Sequence, residues 1–433
     1  MIFTNYSINY YNLLKVTISF LLIGIIAKSI TKTPSVILEI FLLGSLLFFS
    51  LIYAAQEFQL KKTSTLILFV FLIYLFLHTL SATIVRPITS NLSFYDIFLF
   101  NILEFRLSTL SYFLPLVFIP LTKLNIDKFE KFLLFVLKIS IAYTIFEQFL
   151  SMLGFRSFFE YFYYGSGIVT NNQIGVKSFG IYRIWGLVGS PQLLGVFHAM
   201  TLFYMVYKNE KNWAVLSFIA VLLSTSKTAY LIMIMIGPLY LFYKKQYGIL
   251  LLTLTLITII SFISFNFYFY LVNNMSEAFP QYQKFIGSII GYFTLIYHIE
   301  ELSTPDRFIE GGPILTLINY FSNNPLEIFL GKGLSYSFSP EKTSAYDLSN
   351  HHYLTSDYYI LTFFDQYGVF GTLLLIHIFF IYPLTILLKD GEILYFIPII
   401  FFLSMFHYPP HIPKFMMMVA SYPIFKLFLY EKR

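Results

Sequence analysis

"FGIYRIWGLVGSPQLLG", residues 179–195, sets a single arginine, Arg183, into a glycine-rich bend between two long apolar stretches. Its last third reads as a helix start. Ser190 followed by Pro191 puts a capping hydroxyl in front of a residue whose fixed φ suits the first helical position. A helix is therefore expected from Pro191, and the run 191–207 that follows is largely apolar. A cation beside such a start needs an explanation, because the rest of the chain is poor in charge.

The chain has 433 residues, of which 58% are hydrophobic and 12% charged, and its mean hydropathy is +0.73. These values lie far outside the averages of soluble domains and predict an all-α, polytopic integral membrane protein. The 52 Phe and 35 Tyr carry no argument alone, since an AT-rich genome also enriches Phe, Tyr, Ile, Asn and Lys. With no Cys, disulfides, thiolate metal sites and cysteine nucleophiles are excluded. The first apolar run, Leu13 to Ile30, lacks a basic leader and reads as a first spanning helix, not a cleavable signal.

A membrane helix needs about 20 apolar residues, which divides the chain into about twelve spans (11–13). They are 13–30, 35–54, 65–85, 94–121, 128–150, 191–207, 213–225, 227–243, 248–271, 367–388, 392–407 and 413–430. The span 94–121 carries Asp96, Glu104 and Arg106, and 213–225 is short. Five regions follow. Residues 1–150 hold the N-terminal spans, 151–190 a first outer loop, 191–271 the central spans, 272–366 a large outer loop and 367–433 the C-terminal spans.

Short cytoplasmic loops collect Lys and Arg. Lys61, Lys62, Lys123, Lys128, Lys131, Lys208, Lys211, Lys244, Lys245, Lys389, Lys432 and Arg433 all fall on one side in this division, with Lys28 and Lys32 as the exceptions. Both termini are thus expected in the cytoplasm and both long loops on the outer face. Loops of that length are commonly functional, and these lack the low hydrophobicity of disordered segments. They are read as partly helical lids. No fixed-period repeat is visible, which weakens an inverted-repeat transporter reading.

On the outer face, the helix start at Pro191 turns its positive dipole end toward Arg183, an arrangement suited to an anion. The plain alternative is an arginine reaching a phospholipid phosphate. A second start lies in "LLSTSKTAYL", 222–231, with Ser224, Thr225 and Ser226 as capping candidates and Lys227 as the cation. Paired with Arg183, Lys227 points to a bound phosphate or pyrophosphate. In the large loop, Asp306 and Arg307 precede an expected helix over 314–321, and "NNPLEIFLGKG" closes in a glycine turn. A surface helix with a salt bridge is the competing reading there. Glu300, Glu301 and Glu310 show no metal-ligand spacing, and no nucleotide, zinc or nucleophile-elbow motif is present.

Taken in order, Arg-x-x-Gly-x-x-x-x-Pro at 183–191, the Ser-Thr-Ser-Lys-Thr bend at 224–228, Arg307 with the helix after it, "NPLEIFLGKG" at 324–333 and "SDYYILTFFDQYGVFG" at 356–371 resemble the bacterial O-antigen polymerase (Wzy) group. O-antigen ligases belong to the same superfamily. The resemblance covers roughly residues 180–375 and rests on the order and membrane placement of the motifs. It implies a metal-independent, cofactor-free glycosyltransferase of the inner membrane, acting at the periplasmic face on undecaprenyl-pyrophosphate-linked oligosaccharide. It also implies membrane lipids, a chain-length regulator and a flippase as partners, and no nucleic acid.

Carried over by position, the resemblance assigns Arg183, Lys227 and Arg307 to the substrates, with Ser190 and Ser226 at the helix starts. Ligases place a His-Asn pair about eleven residues before the glycine that corresponds to Gly368, and this chain has Asp357 there. Asp357 is therefore the expected base and the chain reads as polymerase before ligase, with His352 and His351 in reserve. Cations aimed at the departing pyrophosphate stabilise its growing charge, and a positioned base contributes about 10²–10⁴-fold. Other marked residues have plainer readings. His198 and His377 are expected as interior hydrogen-bond partners and Met416–Met418 as lipid-facing or packing surface, while Asp96, Glu104 and Arg106, as ionisable groups within a span, are functional candidates unless Glu104 and Arg106 pair near a helix end. A transporter lined by Asp96, Glu104, Arg106 and Lys227, or a non-catalytic scaffold, are the readings from other classes.

Overall fold

The computed structural model describes residues 10–23, 35–57, 63–89, 109–122, 126–165, 177–178, 181–274, 325–331, 359–406, 410 and 413–430. These residues are overwhelmingly helical. Helices α1 (Tyr10–Ile23), α2 (Ser35–Glu57) and α3 (Thr63–Thr89) lead to α4 (Leu110–Thr122), which is mostly tightly wound 3₁₀ helix containing Pro120. Helix α5 (Ile126–Leu150) continues through a wide turn, Ser151–Phe155, into α6 (Arg156–Gly165). The strands β1 (Lys177–Ser178) and β2 (Ile181–Tyr182) pair antiparallel.

Four helices then run back and forth: α7 (Pro191–Tyr207), α8 (Lys211–Leu223), α9 (Lys227–Tyr243) and α10 (Tyr247–Asn274). Each reversal takes only a few residues, and each contains one residue in the left-handed region, namely Asn209, Thr225 and Lys245. The short α11 (Pro325–Leu330) packs on α12 (Tyr359–Ile376). After a wide turn at His377–Ile381 come α13 (Tyr382–Asp390), α14 (Phe396–Ser404) and α15 (Lys414–Phe428).

Helix α7 is the central post. Nearly every residue from Pro191 to Met205 is buried, and α8, α9 and α14 pack around it. A helix apolar on all sides belongs inside, and this one is wrapped by other helices. The outer surface is the reverse of a soluble protein's. Phe41, Phe135, Leu251 and Phe262 are exposed, whereas Ser140, Thr144, Glu147, His198 and Ser217 are buried. That distribution matches a lipid surround.

Three stretches among the described residues are long and apolar enough to cross a membrane, Thr63–Leu80, Ile126–Tyr161 and Gln366–Asp390. The sequence division into about twelve spans is therefore reproduced in its helical character and not in span length. The runs 191–207 and 227–243 coincide with α7 and α9, but those helices are 17 residues each and end in tight turns. The expected span 94–121 is described only from 109, where proline-bearing 3₁₀ winding replaces an α-helix. The last third departs too, since α12 begins at 359, well before the expected 367. The segment 151–190, expected as a partly helical loop, does contain helix, in α6. The expected helix 314–321 and the residues Asp96, Glu104 and Arg106 lie outside the described residues.

Candidate functional site

The stretch 183–195 folds as a strap followed by the α7 N-terminus. The strap turns at Gly186–Val188, with Gly186 at φ 55° and Gly189 at φ 79°, both left-handed. A Cβ on Gly186 would stand 2.4 Å from Leu194 Cδ1 and 3.2 Å from Thr144 Oγ1, so the backbone lies directly on α5 and α7. Only glycine meets both demands at once.

Glu147, which no reading of the sequence singled out, holds the strap down. It is wholly buried, and its two carboxylate oxygens accept the backbone N–H groups of Trp185 at 3.2 Å and Gly186 at 2.9 Å. Arg156, 5% exposed, stands with Nη1 3.5 Å from Glu147. Its Nε donates to Glu160 at 3.0 Å and its Nη2 to the carbonyl of Arg183 at 2.9 Å. The guanidinium also lies over the Trp185 ring, 4.4 Å from its centroid. Acid, base and indole together fix the backbone on which Arg183 is mounted.

Ser190 is the residue before α7, with extended backbone, and Pro191 is the first helical residue, as expected. The serine hydroxyl, however, donates to Gln192 Oε1 at 3.2 Å and does not cap the helix. Pro191 has no N–H, and Leu194 N–H reaches the Ser190 carbonyl at 2.8 Å. Gln192 and Leu193 thus supply the α7 N–H groups that lack an intrahelical acceptor.

Ser226 does cap α9, accepting from Ala229 N–H at 3.2 Å. The same hydroxyl donates to the carbonyl of Gln192 at 2.7 Å. The two helix starts therefore meet. Their closeness depends on Gly195, where a Cβ would fall 2.4 Å from Ser224 Oγ, 2.6 Å from Ser226 Cβ and 2.7 Å from Ala229 Cβ. Arg183, on the strap ahead of α7, and Lys227, the first residue of α9, are both partly buried.

Of the other sequence-predicted residues, Arg307, His351, His352 and Asp357 lie outside the described residues. The two glycine motifs on either side of His351, His352 and Asp357 do come together. Gly331 at φ 77° and Gly368 at φ 64° face each other so closely that a Cβ on Gly331 would lie 2.4 Å from the Gln366 carbonyl, and one on Gly368 2.4 Å from that of Phe329. Tyr74 on α3 clamps the junction, donating to the carbonyls of Leu330 at 3.0 Å and Tyr367 at 2.8 Å. His78 Nε2 bonds the Leu330 carbonyl at 2.6 Å.

His198 is fully buried and bonds Thr144 Oγ1 at 2.8 Å, the interior role expected of it. His377 stacks on Tyr382. Met416, Met417 and Met418 are buried packing residues, so the lipid-facing alternative does not hold for them. At the opposite end of the bundle, Glu130 gathers Lys208, Tyr207 and Tyr422, with Lys426 Nζ at 3.7 Å. Lys208, counted above as a loop cation, is thus half of a fold-stabilising pair.

No family model, no curated protein and no solved structure matches this chain.

Proposed function

We propose that this chain is a multi-pass inner-membrane glycosyltransferase of the O-antigen polymerase type. It joins undecaprenyl-pyrophosphate-linked oligosaccharide units into O-antigen or capsular polysaccharide at the periplasmic face, with about twelve helices in the membrane and both termini in the cytoplasm. One observation carries the reading: the α7 and α9 starts are bonded to each other through Ser226 and the Gln192 carbonyl, with Arg183 on the strap ahead of α7 and Lys227 as the first residue of α9. Two positive dipole ends beside each other, with a cation on the approach to one and at the first residue of the other, suit a pyrophosphate, whose charge grows as the glycosidic bond breaks.

In this scheme the nascent chain leaves its pyrophosphate carrier as a sugar hydroxyl of the incoming unit attacks the anomeric carbon. The hydroxyl proton passes to a base, for which Asp357 is first choice and His352 and His351 follow. The strap held by Glu147 and Arg156 presents Arg183. Arg307 is assigned to the second substrate, and no divalent metal is required.

The test is deletion in the source strain, complemented with wild type, Arg183→Ala, Lys227→Ala, Arg307→Ala or Asp357→Ala, with the surface polysaccharide resolved on a gel. Loss of the ladder with one repeat unit left on lipopolysaccharide is the expected result. Bare core would make the chain a ligase, and normal ladders in all four variants would remove the site assignment.

A further inference from the structure

The stretches "NPLEIFLGKG" and "SDYYILTFFDQYGVFG" contribute α11, α12 and the glycines of the junction between them, and no step of the proposed reaction uses that junction. Three glycines build it. Gly331 and Gly368 cross backbone to backbone, and a Cβ on Gly371 would fall 2.9 Å from Tyr74 Cε1 and 2.6 Å from Tyr367 Cβ. Gly371 therefore clears the place where the Tyr74 ring arrives from α3. Gly368, at φ 64° and ψ −170°, breaks α12 in a conformation that belongs to glycine.

Leu330 ends α11 and Tyr367 stands just before the break, so both carbonyls belong to helix ends, where intrahelical donors run out. Tyr74 Oη lies 3.0 Å from the first and 2.8 Å from the second and shares its one proton between them. His78 Nε2 adds a second donor to Leu330 at 2.6 Å. Because its partner is a carbonyl, that nitrogen carries the proton. The two donors stand four positions apart on one face of α3.

The seat of α11 is thus polar and directional. A helix of six residues has little stability of its own. Its last two side chains, Phe329 and Leu330, are 62% and 57% exposed, so their burial does not fix it. Helix α12 is held at its other end as well. Ile360 N–H donates to the Met405 carbonyl at 2.8 Å, and Phe363 is wholly buried against Phe71 and Tyr112. The stretch Tyr359–Tyr367 is anchored at both ends, and in sequence Asp357 comes two positions before it.

We propose that Tyr74 and His78 are positioning residues for the glycosyl transfer. They act through the α11–α12 junction, which sets the place of α12 and so of Asp357, and the proposal rests on the assignment of Asp357 as base. A base must stand within hydrogen-bond reach of the attacking hydroxyl, and a displacement of about 1 Å costs about 10²-fold.

The experiment follows polymerisation of lipid-linked repeat units from the source strain by the full chain in lipid nanodiscs. Tyr74→Phe and His78→Leu are expected to lower kcat by about 10–10²-fold with KM unchanged, and to raise amide exchange in α11 but not in α7. His78→Gln, whose amide N–H replaces the lost donor, should recover most of the rate, which restored packing alone would not give. Combined with Asp357→Ala, Tyr74→Phe should add nothing to the loss, because both substitutions remove the same contribution. Four results overturn the proposal: wild-type kcat in Tyr74→Phe and His78→Leu, losses that multiply in the double variant, His78→Gln as slow as His78→Leu, or less folded protein with an unchanged rate per folded molecule. Asp357→Ala at the wild-type rate is the separate failure of the base assignment, visible without any change on α3, and removes the proposal with it.

Discussion

Arg156 Nη1 stands 3.5 Å from Glu147 Oε1 although nine positions separate the two residues along the chain. On one straight helix that spacing leaves side chains about 180° apart. They meet because the helix does not stay straight: Gly154, at φ 97°, closes α5 in the left-handed conformation and α6 leaves in a new direction.

Breaking this pair strands a charge inside the protein. Glu147→Ala is expected to destabilise the fold by about 3–5 kcal/mol, because Arg156 remains buried and two strap N–H groups lose their acceptor. Glu147→Ala with Arg156→Met should recover part of that loss. Thermal unfolding of the detergent-purified single and double variants checks the coupling. Additive losses would show that the two groups act independently.

Gly195 governs how near the two helix starts can be. Gly195→Ala adds a methyl that must displace Ser224, Ser226 or Ala229, an overpacking cost of about 1–3 kcal/mol. Polymer formation should fall far more than membrane expression, since the displacement separates the α7 and α9 starts. Full-length ladders from a normally expressed Gly195→Ala variant would dissociate this contact from function.

Thr225 stands at a left-handed position in the turn before α9. Thr225→Gly removes a β-branched residue from a conformation worth about 1–2 kcal/mol of strain, partly offset by the chain entropy of glycine. The variant should melt at or slightly above the wild-type temperature in a thermal unfolding scan, and a lower melting temperature would show that the threonine side chain holds the turn.

Glu130, at the other end of the bundle, should behave purely as structure. Glu130→Gln removes the countercharge of Lys208 and Lys426, both largely buried, and is expected to cost about 1–3 kcal/mol. Whatever protein survives should make chains of normal length. Shortened chains at full expression would place function at this end as well.

The start of α7 at Pro191 and the extent of α9 were legible because serine, proline and apolar run length are local signals. Glu147 and Arg156 were not. Run-length division stops at 150, assigning Glu147 to a span and Arg156 to a loop, and only the Gly154 break joins them. An acid inside an apolar run is itself a signal of interior function, and it marks Glu147 on sequence alone.

Arg183 and the paired helix starts are proposed to hold the pyrophosphate of a glycan donor. Purified wild type and Arg183→Ala in nanodiscs, each supplied with lipid-linked repeat units from the source strain, test it directly. Wild type should convert the units into a ladder and release undecaprenyl pyrophosphate, and Arg183→Ala should lower that rate by about 10²-fold. A folded Arg183→Ala protein that builds the ladder at the wild-type rate would contradict the account.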